Sequence, residues 1–249
     1  MIEQAVSRVS QHRNESRGDT WQTAGHAYHS WMVQCDFDGT ISLRDVTDTL
    51  LERFGKPGWR ELEERWENGE IGSRECMRGQ IALLDMSLAE LHAHLATIEI
   101  DPHFVGFVNE AQRQGLPVQV VSDGMDYVIR FILERHGLGN LPVMANRLVH
   151  TGDRSWKLES PYASDNCTRA SGTCKCERMA EQRKAYSHVL FVGDSTSDFC
   201  VSGKADFVLA KSRLIDYCEE RGISHAPIAD FSVATELLSE IVEPMRVRV

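Results

Sequence analysis

The chain has 249 residues, 42% of them hydrophobic and 26% charged, ordinary for a soluble globular protein and enough for one sizeable domain with an insertion or two modest domains. A formal net charge of −10 weighs against nucleic acid as a partner, because a phosphate backbone needs a basic footprint. A small phosphorylated metabolite stays compatible with such acidity if a divalent cation stands between it and the protein.

No apolar run approaches the roughly 20 residues that span a bilayer, so no membrane partner is expected. The stretch MIEQAVSRVSQHRNESRGDT lacks the apolar core of a signal peptide, and Glu3, Glu15 and Asp19 argue against a transit peptide. A cytoplasmic location is predicted. The seven cysteines are an odd number without a secretion signal, which points to reduced thiols rather than a disulfide framework. Cys167, Cys174 and Cys176, with His150 or His188, lack the paired CxxC spacing of a zinc site and read as ordinary buried or loop thiols.

Residues 1–29 are polar and aperiodic, and read as a loosely ordered extension. WMVQCDF (31–37) is a short apolar run ending before Gly39, the pattern of a buried central strand. From Asp45 to about Ile100, four segments repeat apolar residues every three or four positions, punctuated by Gly55, Pro57, Gly69 and Gly72. Four short helices are predicted there, as an inserted helical module. After Pro102 strands and helices alternate: helix 104–115, strand 116–124, helix 125–137, strands 142–150 and 156–162, helix 176–186, strand 188–194, a short helix 197–205, strand 206–210 and helix 212–222. The fold class is therefore α/β, a doubly wound Rossmann-like parallel sheet core with a small inserted helical cap. The predicted organisation is an extension over 1–29, a core from 30–44 and 101–249, and a cap over 45–100.

Four polar clusters fall at predicted strand ends or helix starts: DFDGT (36–40), VVSDG (120–124), TCKC (173–176) and GDSTSD (193–198). Ligands of doubly wound sheets bind at the carboxyl ends of the strands. Asp36 and Asp38, two apart on an extended segment, point the same way, with Phe37 turned back to the core. Their mutual repulsion calls for a cation, and a divalent metal also bridges to a phosphoryl oxygen. Taken alone, the pair is equally an Asp-rich turn. Asp194 and Asp198 offer oxygen ligands one helical turn apart, suited to Mg2+, or else a helix cap by Asp194 or Ser195 with a solvated Asp198. Ser122 and the amides after Gly124 form a possible anion cradle, against a plain cap. Lys175 can neutralise nucleophile and phosphate; Lys157 and Lys184 compete for that role.

In order, DxDGT, Ser122, Lys175 and GDxxxD resemble the four motifs of haloacid-dehalogenase-type phosphatases, over residues 31 to about 240. The insertion after the first motif resembles the helical cap of the phosphoserine-phosphatase-like branch. The resemblance implies a Mg2+-dependent phosphomonoesterase. Asp36 attacks phosphorus and forms an aspartyl-phosphate, while Asp38 protonates the leaving alcohol and then activates water. Ser122 and Lys175 hold phosphoryl oxygens, and Asp36, the Asp38 backbone carbonyl and Asp194 bind the metal. CDFDGT, SDGMDY, the cysteines around Lys175 and the segment from Gly193 to Ile223 are most similar to the methionine-salvage phosphatases acting on 2-hydroxy-3-keto-5-methylthiopentenyl-1-phosphate.

Phosphoserine phosphatases usually carry Glu nine residues after the nucleophile; here that residue is Asp45, as in the methionine-salvage group. Asp123 stands where many relatives have Gly, and phosphoethanolamine/phosphocholine phosphatases also carry Ser-Asp there. Asp45, Asp123 and Gly124 are thus the expected substrate contacts, and a phosphoserine or phosphoethanolamine/phosphocholine phosphatase is the alternative. A receiver-like phospho-acceptor domain also phosphorylates a strand-end Asp, but is smaller and has no helical insertion. A monomer or homodimer is expected.

Deleting residues 1–29 should leave activity and melting temperature nearly unchanged, since that segment has no apolar face to bury. A fall in melting temperature of more than about 5 °C, roughly 2 kcal/mol for a chain of this length, would show that it packs on the core.

Overall fold

Residues 31–246 are described by the structure, a computed structural model; the extension expected over 1–29 lies outside them. Strands β1 (Trp31–Cys35), β2 (Val118–Met125), β3 (Val143–Gly152), β4 (Ser155–Glu159), β5 (His188–Gly193), β6 (Phe207–Ala210) and β7 (His225–Pro227) form one sheet in the order β4-β3-β2-β1-β5-β6-β7. The pairs β2–β3, β5–β6 and β6–β7 are parallel, and β3–β4 is an antiparallel hairpin. Every residue of β1 and of β5 is buried, as a strand covered on both faces requires, and apart from Gln34 and His188 the two are apolar. β4 alternates exposed and buried residues, the pattern of a strand with one wet face. The α/β class predicted from the alternation of elements is the one observed.

The described residues divide into two compact units, with β1 and β2 each contributing to both. One unit comprises residues 31–34, Pro102–Val118 and 179–246. It holds β5 to β7 with helices α5 (Phe104–Arg113), α8 (Phe199–Ser202), α9 (Ser212–Arg221) and α10 (Phe231–Arg246). In its core α5 packs on α10: the Phe231 ring lies 4.8 Å from that of Phe104 and 5.1 Å from that of Phe107, and all three are fully buried. The helix predicted over 197–205 is instead a single 3-10 turn, Thr196–Asp198, followed by the four-residue α8. The Asp198 carboxylate folds back onto the backbone N–H groups of Asp194 and Ser195, which starts the turn early and tightens it.

The other unit comprises Cys35–Asp101 and Gln119–Arg178. Its helices α1 (Val46–Phe54), α2 (Trp59–Glu67), α3 (Ser73–Ala82) and α4 (Leu88–Leu95) are the four expected from the periodicity, joined by α6 (Asp126–Arg135) and the start of α7 (Lys175–Gln182). Side chains cap two of these helices. The Asp45 side chain accepts from Asp48 N–H at α1, and Ser87 with Glu90 closes a capping box at α4. The β3–β4 hairpin holds the helical stretch: Trp156 Nε1 donates to the Met86 carbonyl at 2.8 Å, and Arg154 reaches Asp85 and Glu90. The arginine pairs are solvent-exposed and contribute little. The buried Trp156 is the anchor.

Phe231→Ala should cost about 3–5 kcal/mol of unfolding free energy, the usual range for emptying a fully buried aromatic site. Gly106 lies exposed within α5, and a methyl group added there would meet nothing within 4 Å, so Gly106→Ala should stabilise by roughly 0.5–1 kcal/mol. Urea unfolding of the two variants, monitored by circular dichroism, checks both signs.

Candidate active site

The first cluster follows β1 directly. Asp36 is almost fully buried, and Phe37 points inward and is fully buried, as the two-residue alternation predicts. The chain then closes on itself. The Phe37 carbonyl accepts the N–H groups of Thr40, Ile41 and Ser42 together with the Ser42 hydroxyl. Gly39 has φ +73°, the left-handed conformation this tight return needs and other residues rarely adopt.

Lys175 opens α7, and its Nζ lies 2.8 Å from Asp36 Oδ1, both side chains nearly sealed from water. Of the three lysines that compete as partners of the nucleophile, it is the one that pairs with Asp36. Lys157 bonds Glu159 and Lys184 bonds Glu181, both at exposed positions. In a poorly hydrated place such a pair holds two charges that neither partner could keep alone.

Asp38 is half-buried, and its Oδ1 accepts the Val46 N–H at 2.9 Å. Burial pushes its carboxyl well above the ordinary carboxylate range, and the charges of Asp45 and Asp36 push the same way against the Val46 N–H and Lys175. Such a carboxyl keeps its proton at pH values where an exposed one has lost it, as a general acid must.

Ser122, Asp123 and Gly124 lie where β2 slips against β3. Val121 pairs with Met144 and Met125 with Asn146, so four steps on β2 answer two on β3. This bulge carries the second cluster. Ser122 is buried, and its Oγ accepts the Gly124 N–H at 2.9 Å. A methyl on Gly124 would lie 2.4 Å from Asp38 Oδ2 and 3.1 Å from Ser122 Oγ, so the absent side chain lets the acid and the hydroxyl meet at one spot. Asp45 is exposed at the start of α1. Asp123 accepts from Ser73 Oγ, the Thr173 N–H and Asn146 Nδ2.

Neither Ser73 nor Asn146 is among the residues expected from the sequence. Nothing local marks Ser73. Asn146 does carry a signal, as a lone amide inside the apolar run PVMANRLVH, and it is fully buried.

In the other unit, Asp194 follows β5 and is half-buried, and Asp198 is fully buried with its Oδ2 on the N–H groups of Asp194 and Ser195. A methyl on Gly193 would lie 2.4 Å from Asp198 Oδ2, so the glycine leaves room for that carboxylate to brace the loop.

An α/β sheet carrying a buried strand-end aspartate against a lysine, with a second carboxyl two residues on, defines a class. Residues 33–202 match the haloacid dehalogenase-like hydrolases, and the chain belongs to that family. It is a phosphatase. The chain is 33% identical over 202 residues to a 2-hydroxy-3-keto-5-methylthiopentenyl-1-phosphate phosphatase of Exiguobacterium sp., spanning 80% of this chain and 93% of that protein. A protein of the same name from Brevibacillus brevis is 29% identical over 211 residues, spanning 83% and 94%. Among solved structures, a phospho-aspartyl intermediate analogue of phosphoserine phosphatase superposes with a TM-score of 0.65 at 19% identity. It covers 86% of this chain and 100% of that one, a likeness of fold. No helix among the described residues is long and apolar enough to cross a membrane.

Gly124→Ala should cut turnover by more than about tenfold, because a displaced Asp38 loses its reach to the reacting group. Steady-state kinetics with an unchanged circular dichroism spectrum checks this; full activity would separate Asp38 from the reaction.

Proposed function

We propose that the enzyme hydrolyses 2-hydroxy-3-keto-5-methylthiopentenyl-1-phosphate, or a close phosphomonoester of methionine salvage, through an aspartyl-phosphate on Asp36. The observation that carries the mechanism is the buried 2.8 Å pair of Asp36 with Lys175, beside an Asp38 carboxyl that burial pushes toward its protonated form. The substrate follows from the names of the relatives that share about 30% identity over most of both chains.

In this reading an Asp36 carboxylate oxygen attacks phosphorus and the ester oxygen leaves, taking the proton that Asp38 holds. Asp38, now ionised, removes a proton from water, which attacks the phosphoryl group and returns Asp36 to its carboxylate. Ser122 Oγ and Lys175 Nζ hold phosphoryl oxygens. The donors offered at the ends of β1 and β5, the carboxylates of Asp36 and Asp194 and the backbone carbonyl of Asp38, are hard oxygen ligands that fit Mg2+. When bound, the ion supplies positive charge to the phosphoryl oxygens. Asp198, through its bonds to the Asp194 and Ser195 N–H groups, aims Asp194.

Residues 45–100 form the cap in this reading, over a core made of 30–44 and 101–249. Asp45, at the cap's first helix, accepts a hydrogen bond from a substrate hydroxyl. The seven free thiols support a cytoplasmic setting.

Asp36→Asn should abolish turnover while the protein stays folded. More than about a tenth of the wild-type rate, under roughly 1.4 kcal/mol of barrier, would remove Asp36 as nucleophile. Asp38→Asn should lose far more activity on alkyl than on aryl phosphates, since an aryl oxide leaves without a proton. EDTA should abolish activity and Mg2+ restore it; full activity after EDTA and dialysis would sink the metal assignment. The ratio of kcat/KM for the methylthio enol phosphate to those for phosphoserine and phosphoethanolamine decides the substrate.

A further inference from the structure

Asp123 has no step in the mechanism above, yet its carboxylate is fully engaged. Oδ1 accepts the Thr173 N–H at 2.8 Å and Asn146 Nδ2 at 3.1 Å, and Oδ2 accepts the Ser73 hydroxyl at 2.5 Å. Asn146 Nδ2 also bonds the Asp123 carbonyl at 2.6 Å, which fixes Asp123 from both ends.

The two sides of this carboxylate lead to different places. Thr173 stands two residues before Lys175, and the residue between them, Cys174, donates its N–H to the Tyr162 carbonyl at 3.0 Å. Both residues that lead into Lys175 are thus pinned by their backbone. The approach is close-packed, since a methyl on Gly172 would lie 2.2 Å from Asn146 Oδ1. Ser73 is the first residue of α3 in the helical stretch. The start of α3 rests on the same approach segment, with Arg74 N–H on the Ala170 carbonyl at 3.0 Å and Gly72 against Ala170.

We propose that Asp123 is a positioning residue for Lys175, and that by holding Ser73 as well it makes the seating of α3 and the placing of the lysine one event. A lysine side chain is long and flexible, so where its Nζ falls depends on where the backbone delivers its Cα. Asp123 sets that point through Thr173. The same bond network leaves a different signature from a cation-binding carboxylate. A carboxylate that recognises a substrate ammonium needs its charge, whereas one that positions needs only its hydrogen bonds. Asparagine supplies those bonds without the charge: its oxygen accepts from Thr173 and Asn146, and its NH2 donates to Ser73 Oγ.

The inference rests on the role of Lys175 given above, and the test separates the two. Kinetics are measured for wild type, Asp123→Ala, Asp123→Asn, Ser73→Ala and Lys175→Met, with phosphoethanolamine as cationic ester and a sugar phosphate as neutral one. Asp123→Ala should lower kcat about tenfold or more on both esters with KM within about threefold, and Asp123→Asn should recover most of that loss. Ser73→Ala should show a smaller fall in kcat of the same kind, and stands in for Asp123→Ala if that variant does not fold. The proposal is overturned if Asp123→Asn is as impaired as Asp123→Ala, or if Asp123→Ala stays within about twofold of wild type. A loss confined to phosphoethanolamine returns Asp123 to substrate recognition. Activity retained by Lys175→Met refutes the lysine's role itself, whereas a dead Lys175→Met beside an intact Asp123→Ala refutes only the positioning.

Discussion

On the proposed mechanism, Asp36 must stay negative and nucleophilic in a place from which water is almost excluded, with Asp38 two residues away and a phosphate dianion arriving. Two carboxylates and a phosphate repel one another strongly where solvent does not screen them. Lys175 meets part of this difficulty inside the protein, with Nζ 2.8 Å from Asp36 Oδ1 and its side chain 2% exposed. Burying an ammonium is itself costly, by several kcal/mol per ion, and is offset only by close geometry. The rest of the surrounding structure can be understood as what keeps that geometry close.

The devices that do so are mostly backbone. The turn at Phe37 gathers three N–H groups and a hydroxyl on one carbonyl, so the Asp36–Asp38 loop has no freedom to open. The bulge in β2 presents Ser122, Asp123 and Gly124 out of register with β3. Gly124 and Gly172 are required by space, not by φ, since a methyl at either would strike Asp38 Oδ2 or Asn146 Oδ1. Asn146 and Asp123 then join the bulge to the residues before Lys175. Asp36, Asp38 and Lys175, from segments over a hundred residues apart, are thereby held through hydrogen bonds of the chain around them.

How much of this is legible in the sequence depends on range. The buried strands, the four helices of 46–95 and the strand-end aspartates rest on local periodicity and caps, and all are readable. The short strand β7 and the helix α10 are absent from the expected elements. Three residues carry too little pattern for a strand, whereas α10 does carry one, with Phe231, Ala234, Leu238 and Ile241 repeating at helical spacing. The helix expected over 197–205 is shorter because a side chain, Asp198, competes for the first N–H groups of the turn. Asp123 reads as a substrate contact because it adjoins Ser122. Its bonds to Ser73 and Thr173 each bridge 50 residues, and no pattern within a window of the sequence carries such a pairing.

Asp45 shows how the helical stretch and the chemistry come to share residues. Its carboxylate caps α1 by accepting the Asp48 N–H, a role that any helix start could ask of it. The next residue, Val46, gives its N–H to Asp38, so the first turn of α1 also binds the acid. The two contacts pull Asp38 in opposite directions, the Asp45 charge favouring the proton and the Val46 N–H favouring its loss. Burial is the larger influence and sides with the proton, so the Val46 N–H and Lys175 only moderate the upward push. On the proposed mechanism, the first turn of α1 therefore touches the group that transfers the proton, and a change in how α1 sits would act on chemistry as well as on binding.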